Sequence, residues 1–135
     1  ISKDKFNNHI KNGDFIEWEK VYNDDFKGTL KNEIKRLLDN DKNIVFDVDV
    51  VGGLNLKEYF GRDSLSIFID VPSSKDLKSR LNKRGTDSEN KIKERLEKAK
   101  VEISQKDRFD VIIMNSDIKK ACKDILDVVI KFISV

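Results

Sequence analysis

Three arginines in the second half of the chain have the charge and spacing to bind phosphate. Arg80 and Arg84 are four residues apart, so on a helix they share one face, where like charges repel by about 0.2–0.5 kcal/mol. Gly85 follows them directly, and Arg95 lies on the next predicted helix. Guanidinium is always charged and binds phosphate oxygens with two parallel hydrogen bonds, so the cluster indicates a polyphosphate site. A solvated basic helix face is the alternative.

Two aspartates interrupt a run of apolar, β-branched residues at positions 44–50. Asp47 and Asp49 are two residues apart, so on a strand both carboxylates project from the same face. They lie at the carboxyl end of the predicted strand, where open α/β sheets bind ligands. Carboxylates within an apolar run need an arginine, a metal ion or a ligand donor as a partner. A strand end that emerges into solvent is the alternative.

A third carboxylate, that of Glu17, lies between Ile16 and Trp18 in a short apolar run. Its two oxygens can accept a pair of adjacent N–H donors, which guanine offers at N1 and N2 and adenine does not. Glu17 is therefore a candidate for guanine recognition. The alternative is an outward-facing strand residue.

Other residue types indicate no further catalytic centre. His9 is the only histidine, with no cysteines or acids at metal-ligand spacing around it, and an exposed position is expected. Cys122 falls on the apolar stripe of the last predicted helix and is expected in the core. No glycine completes G-x-x-x-x-G-K-[ST] or G-x-G-x-x-G, so these residues contain no phosphate-binding loop.

The composition excludes several classes of protein. Lys+Arg 27 against Asp+Glu 25 gives a net charge of only +2, which argues against a nucleic-acid-binding protein. A single cysteine allows no internal disulfide, so a reducing cytoplasm is expected. No apolar run is long enough to span a membrane, and no signal peptide is recognisable.

Alternating helices and strands are predicted to position these residues. Strands are predicted at residues 15–18, 21–22, 44–50, 65–71 and 109–114. Helices are predicted after the caps Ser2, Ser73 and Thr86, over residues 30–38, through Leu56, and from Ile118 to Phe132. Strands that alternate with helices imply βαβ units and a parallel sheet, so the predicted fold class is α/β.

Several motifs, in order along the chain, resemble those of the guanylate kinase family. They are FIEW at 15–18, GT at 28–29, FDVDVVGG at 46–53, PS at 72–73, RLNKRGTDSE at 80–89, KERL at 93–96 and NSD at 115–117. The resemblance implies an α/β, P-loop-kinase-like parallel sheet with flanking helices, a small GMP-binding subdomain and a lid. By this resemblance, residues 1–29 are the GMP-binding subdomain, 30–83 and 105–135 the core, and 84–104 the lid and its following helix.

The resemblance also implies an activity, transfer of the γ-phosphoryl of ATP to GMP or dGMP. Glu17 is similar to the family's carboxylate that binds guanine N1 and N2, and Thr29 to the hydroxyl near O6. Asp49 is similar to the acid that also holds the guanine. Asp47 would lie towards the phosphates and a Mg²⁺ cofactor.

On the ATP side, Arg80 and Arg84 resemble the lid arginines that close over the phosphates. Arg95 is similar to the arginine between donor and acceptor phosphates, and Asn115 to the residue near the adenine. An interaction module of the same family, which binds a peptide or phosphopeptide without catalysis, is the alternative. It has no need for these arginines.

This sequence departs from the family in two ways. The family's opening strand, P-loop and first helix are absent from it, and it starts without methionine. We therefore expect upstream sequence, and we expect these residues alone not to turn over ATP. Lys27 stands where the family usually has a tyrosine near the GMP phosphate, and Tyr22 is a further GMP-site candidate. Oligomeric state stays open.

Overall fold

The computed structural model describes residues 1–20, 24–85 and 88–134. Tyr22 and Thr86 lie outside the described residues. The helices are α1 Lys3–Asn12, α2 Lys31–Asp39, α3 Val50–Phe60, α4 Ser74–Arg84, α5 Glu89–Ile103 and α6 Ile118–Ile133, and the strands are β1 Phe15–Lys20, β2 Phe26–Leu30, β3 Ile67–Asp70 and β4 Val111–Met114. Within the described ranges, no helix is long and apolar enough to cross a membrane.

The chain divides into two compact units, Ile1–Gly61 and Arg62–Val135. The first contains α1 to α3 and an antiparallel hairpin of β1 and β2. The second contains β3 and β4, which pair in parallel, together with α4, α5 and α6. The predicted α/β class with a parallel sheet and flanking helices is confirmed.

An aromatic cluster forms the core of the first unit. Phe6 of α1 lies with its ring centroid 4.3 Å from that of Phe15 and 5.3 Å from that of Phe26. Trp18 lies at the edge of this cluster, 6.5 Å from both Phe6 and Phe26. These contacts hold the first helix against one face of the hairpin.

The first helix begins after its predicted cap, Ser2. Ser2 Oγ accepts a hydrogen bond from the backbone N–H of Lys5, and the helix ends at Gly13. His9, in the last turn, is half-buried rather than exposed; its ring lies edge-on to Phe15, and its Nδ1 is 2.9 Å from Asp14 Oδ2.

Gly28 of β2 lies directly opposite Trp18 of β1, where the structure leaves no room for a side chain. A Cβ there would lie 2.8 Å from Trp18 Cβ and 2.9 Å from the Glu17 carbonyl oxygen. Neither atom is the movable end of a flexible side chain, so an added methyl group must displace backbone. Gly28→Ala is therefore expected to lower the free energy of unfolding by about 1–3 kcal/mol.

Urea unfolding followed by circular dichroism measures the effect of Gly28→Ala. Asn8→Ala, on the exposed surface of α1 in the same unit, is the control and should stay within about 0.5 kcal/mol of the wild type. Equal stabilities of Gly28→Ala and the control would contradict this account of the hairpin.

The predicted strand at residues 44–50 is wrong. Residues 42–49 have no regular secondary structure, and α3 begins at Val50. A strand requires a hydrogen-bonded neighbour, and none of the strands in the described ranges pairs with this segment. Its side chains still alternate in exposure, since Ile44 and Phe46 are half-buried whereas Val45 is 91% exposed.

The parallel sheet of the second unit aligns Ile67 with Val111 and Asp70 with Met114. Phe68 and Ile113 are buried at its centre. The strands thus end side by side, and their carboxyl ends place Asp70 and Asn115 next to each other. The Asn115 N–H donates to the Asp70 carbonyl oxygen at 2.9 Å.

Two helical predictions in the second unit need correction. Ser73 caps α4 as predicted, but the residue that caps α5 is Ser88, whose hydroxyl accepts from the Lys91 N–H. Cys122 is exposed rather than in the core, and the buried residue of α6 is Ala121. The buried face of α6 therefore includes Ala121 and the half-buried Ile125 and Val129 but not Cys122.

Candidate functional site

Glu17 and Thr29 are brought together by the hairpin of the first unit. They lie directly opposite each other in the register, and Thr29 Oγ1 donates a hydrogen bond to Glu17 Oε1 at 2.7 Å. The carboxylate is half-buried, and the hydroxyl fixes its orientation. Because the single hydroxyl proton is used in this bond, Thr29 cannot at the same time donate to a ligand.

Lys27 shares this face of the hairpin. Side chains two apart on a strand point the same way, so Glu17 and Glu19 of β1 lie on one face with Lys27 and Thr29 of β2. Glu19 and Lys27 are directly opposite each other, and both are exposed. Three polar side chains thus share the face of Glu17. Thr29 and Lys27 were named from the sequence, and Glu19 was not.

An ion pair joins Lys20, the last residue of β1, to Asp24, which precedes β2. The hydrogen bond from the Lys20 ammonium lowers the pKa of the Asp24 carboxyl, and the positive charges of Lys20 and Lys3 add to the effect. Asp24 therefore stays ionised at neutral pH. The pair is exposed, so its contribution to stability is small.

Asp49 is held by the first turn of α3. As the N-cap residue, it accepts the Gly52 N–H on Oδ1 at 2.8 Å, and its side chain is half-buried. This contact satisfies one of the free amides of the helix start and fixes the carboxylate. Asp47, two residues earlier, is exposed. The predicted pair thus consists of one structurally anchored acid and one solvent-facing acid.

Arg80 and Asn115 are brought together in the second unit. Arg80 Nη2 donates to the backbone oxygen of Asn115 at 2.7 Å, at the carboxyl end of β4. This contact attaches the middle of α4 to the edge of the sheet. A guanidinium has five N–H donors, so one such bond leaves the group able to bind phosphate.

Arg84 and Arg95 lie on α4 and α5, on either side of Gly85. Arg84 is the last residue of α4 and is exposed, whereas Arg95 lies within α5 and is half-buried. Gly85 ends α4 with φ at 63°, a left-handed conformation that glycine adopts without steric cost. The three predicted arginines thus lie on the two helices before and after Gly85; Arg80 and Arg95 are half-buried, and Arg84 is exposed.

Asp70 and Lys106 form an ion pair that the sequence analysis missed. Asp70 is the one buried charged residue that the structure gives within the described ranges, at 4% exposure. Lys106 Nζ lies 3.0 Å from Asp70 Oδ2, and the Val71 N–H donates to Oδ1 at 2.9 Å. The available signal was an acid at the end of an apolar strand, which requires a partner.

Lys106→Met is expected to lower the free energy of unfolding by about 1–3 kcal/mol, because it leaves the buried Asp70 carboxylate without its cation. Lys100→Met is the matched control, since the pair of Lys100 with Glu97 is exposed on both sides and contributes about 0–1 kcal/mol. Urea unfolding compares the two variants. Equal losses would show that Asp70 does not depend on Lys106.

The sequence of this chain was compared with those of known protein families and known proteins. A sequence profile of the guanylate kinase family matches residues 1–131. The chain belongs to the guanylate kinase family. It is 43% identical to the guanylate kinase of Porphyromonas gingivalis over 134 residues, which is 99% of this chain and 71% of that protein.

Further guanylate kinases agree in sequence and structure. That of Bacteroides fragilis is 43% identical over 135 residues, 100% of this chain and 66% of its own length. The crystal structure of guanylate kinase from Anaplasma phagocytophilum matches with a TM-score of 0.72 and 25% identity, over 96% of this chain and 61% of that one. The chain therefore spans between three fifths and three quarters of the guanylate kinases it matches.

Proposed function

We propose that this protein transfers the γ-phosphoryl group of ATP to GMP, forming ADP and GDP. The observation that supports this best is the Glu17–Thr29 pair, because it presents a fixed carboxylate on an open hairpin face in a chain of the guanylate kinase family. A carboxylate held in this way is suited to two adjacent N–H donors. Guanine offers such a pair and adenine does not.

GMP binding is assigned to the first unit. Glu17 accepts N1–H and N2–H, Thr29 orients the carboxylate, and the anchored Asp49 adds a second acceptor. Lys27 lies towards the phosphate, and Tyr22, outside the described residues, is a further contact. Since GMP and dGMP have the same guanine edge, these acids do not distinguish them.

ATP binding and catalysis are assigned to arginines of the second unit. Arg80 and Arg84 neutralise the ATP phosphates, and Arg95 stabilises charge that develops on the transferred group. Asn115 lies near the adenine. Gly85 gives the lid, within residues 84–104, a joint at which it closes over the nucleotide and excludes water.

Two reaction conditions are also proposed. Mg²⁺ is bound in proteins through one or two carboxylates together with substrate phosphates and water, and the exposed Asp47 can supply such an oxygen ligand. Magnesium would neutralise phosphate charge when bound. The exposed free thiol of Cys122 suits a reducing compartment, so we place the reaction in the cytoplasm.

Calorimetry with GMP and with AMP tests the guanine assignment directly. We expect GMP to bind at least about 10-fold more tightly, because an unsatisfied charged hydrogen bond costs about 1.5–3 kcal/mol. The two ligands share ribose and phosphate, so the comparison isolates the base. Equal affinities would contradict the proposed function.

A further inference from the structure

The polar face of the hairpin extends from Glu17 in only one direction. On one side of the Glu17–Thr29 pair the register shifts between Phe15 and Glu17, and Phe15 packs against Phe6 in the aromatic cluster instead of continuing the polar face. On the other side the register continues to Glu19 and Lys27, which are both exposed. A guanine ligand bound at Glu17 can therefore place its phosphate on this face only near Glu19 and Lys27.

The distance along the strand suits a nucleoside monophosphate. A strand rises about 3.3 Å per residue, so Lys27 lies about 7 Å from Thr29 along β2. A lysine side chain extends this reach further. Among the described residues, neither Lys27 nor Glu19 makes an ion pair or a side-chain hydrogen bond, so both charges are available to a ligand.

The two opposite charges lie side by side. Residues directly opposite on antiparallel strands have Cβ atoms about 4.5–5.5 Å apart. A phosphate held by the Lys27 ammonium must therefore also lie close to the Glu19 carboxylate. The Lys27 ammonium attracts the first phosphate group of the ligand. The Glu19 carboxylate repels the ligand, and this repulsion increases with every further negative charge that the ligand carries.

With the GMP phosphate at Lys27, as proposed above, we infer that Glu19 is a specificity-determining residue that weakens binding more with each negative charge on the ligand. GDP carries more negative charge than GMP, so Glu19 favours the substrate over the product at this site and assists product release. The inference rests on the proposed function, since it requires GMP to bind at Glu17.

Glu19→Gln tests the inference because it removes the charge and keeps the shape. At separations of about 6 Å in water, one unit of ligand charge changes the affinity about threefold. We expect guanosine affinity to stay unchanged, GMP affinity to rise about tenfold and GDP affinity to rise more than that of GMP. Lys27→Met should weaken GMP about tenfold or more and leave guanosine unchanged.

Asp39→Asn is the control, because it removes a carboxylate from the same unit without touching the hairpin. Asp39 is the last residue of the nine-residue α2, which follows β2 directly. The length of this helix separates Asp39 from the end of β2 by about 13 Å. This distance exceeds the Debye length, which is about 10 Å at about 0.1 M salt. This variant should bind GMP and GDP as the wild type does. All affinities are measured by calorimetry at that salt concentration.

An unchanged ratio of GDP to GMP affinity in Glu19→Gln would overturn the inference, as would an equal gain for guanosine. Where guanosine binds too weakly to be measured, this ratio alone decides. Equal loss of GMP and guanosine in Lys27→Met would show a structural role for that lysine. Failure of the wild type to prefer GMP over AMP contradicts the proposed function instead, so the two failures are distinguishable.

Discussion

Arg95→Ala is expected to lower kcat of the full-length protein by about 10³-fold or more, as loss of a transition-state arginine does in phosphoryl transfer. GMP binding should weaken far less, because a ground-state charge-assisted hydrogen bond contributes about 1.5–3 kcal/mol. The half-buried position of Arg95 within α5 limits its side chain to few orientations. Such pre-organisation is what a group that stabilises developing charge requires.

Steady-state kinetics and GMP calorimetry on the same preparations separate the two effects of Arg95→Ala. Arg108→Ala is the control, since Arg108 is exposed and bonds only to Gln105 nearby in sequence. Its kcat should remain within about twofold of the wild type. An unchanged kcat in Arg95→Ala would remove Arg95 from the catalytic assignment, and equal losses in kcat and GMP affinity would assign it to ground-state binding.

Glu17→Gln is expected to abolish the preference for GMP over AMP. The substitution replaces an acceptor oxygen by an NH₂ group, which would face an N–H donor of guanine. Loss of a hydrogen bond to a charged group costs about 1.5–3 kcal/mol, so GMP affinity should fall about 10- to 150-fold while AMP affinity stays nearly constant.

Calorimetry with both nucleotides measures the outcome of Glu17→Gln. Glu33→Gln serves as its control, because Glu33 is exposed on α2, where the Arg36 guanidinium bonds to it and lowers the pKa of its carboxyl. That variant should retain the full preference for GMP. A Glu17→Gln protein that still prefers GMP would show that another group recognises the base.

Local sequence signals predicted most of the helices. Ser2 and Ser73 cap α1 and α4 as expected, because a hydroxyl that accepts a first-turn N–H acts over three residues of chain. The α5 cap moved to Ser88, since two hydroxyl residues lie close together there and spacing alone did not choose between them. Helix existence was thus better determined than helix boundaries.

The strands depended on contacts that a linear pattern does not contain. Residues 44–50 have strand composition but no paired neighbour in the described ranges, whereas β2 pairs well although Gly28 weakens its strand propensity. Cys122 was misplaced because the face of a helix that is buried depends on what packs against it. Here α6 turns Ala121 rather than Cys122 inward.

The sequence identified which residues form the candidate site, but it did not predict the contacts between them. Glu17 and Thr29 were each named from the sequence, but their mutual hydrogen bond follows from the hairpin register. That register also places Glu19 beside Lys27. Asp70 and Lys106 were missed because their pairing joins the end of β3 to a short 3₁₀ helix, Lys106–Arg108, that is distant in sequence.

The aromatic cluster beside the hairpin has a spectroscopic consequence. Trp18 is the only tryptophan in the chain, and by sequence position both tyrosines also belong to the unit Ile1–Gly61. Indole fluorescence therefore reports on the first unit alone, while the second unit is silent. Since Trp18 is 45% exposed and directly follows Glu17, its emission provides an intrinsic, label-free signal for the guanine-binding hairpin.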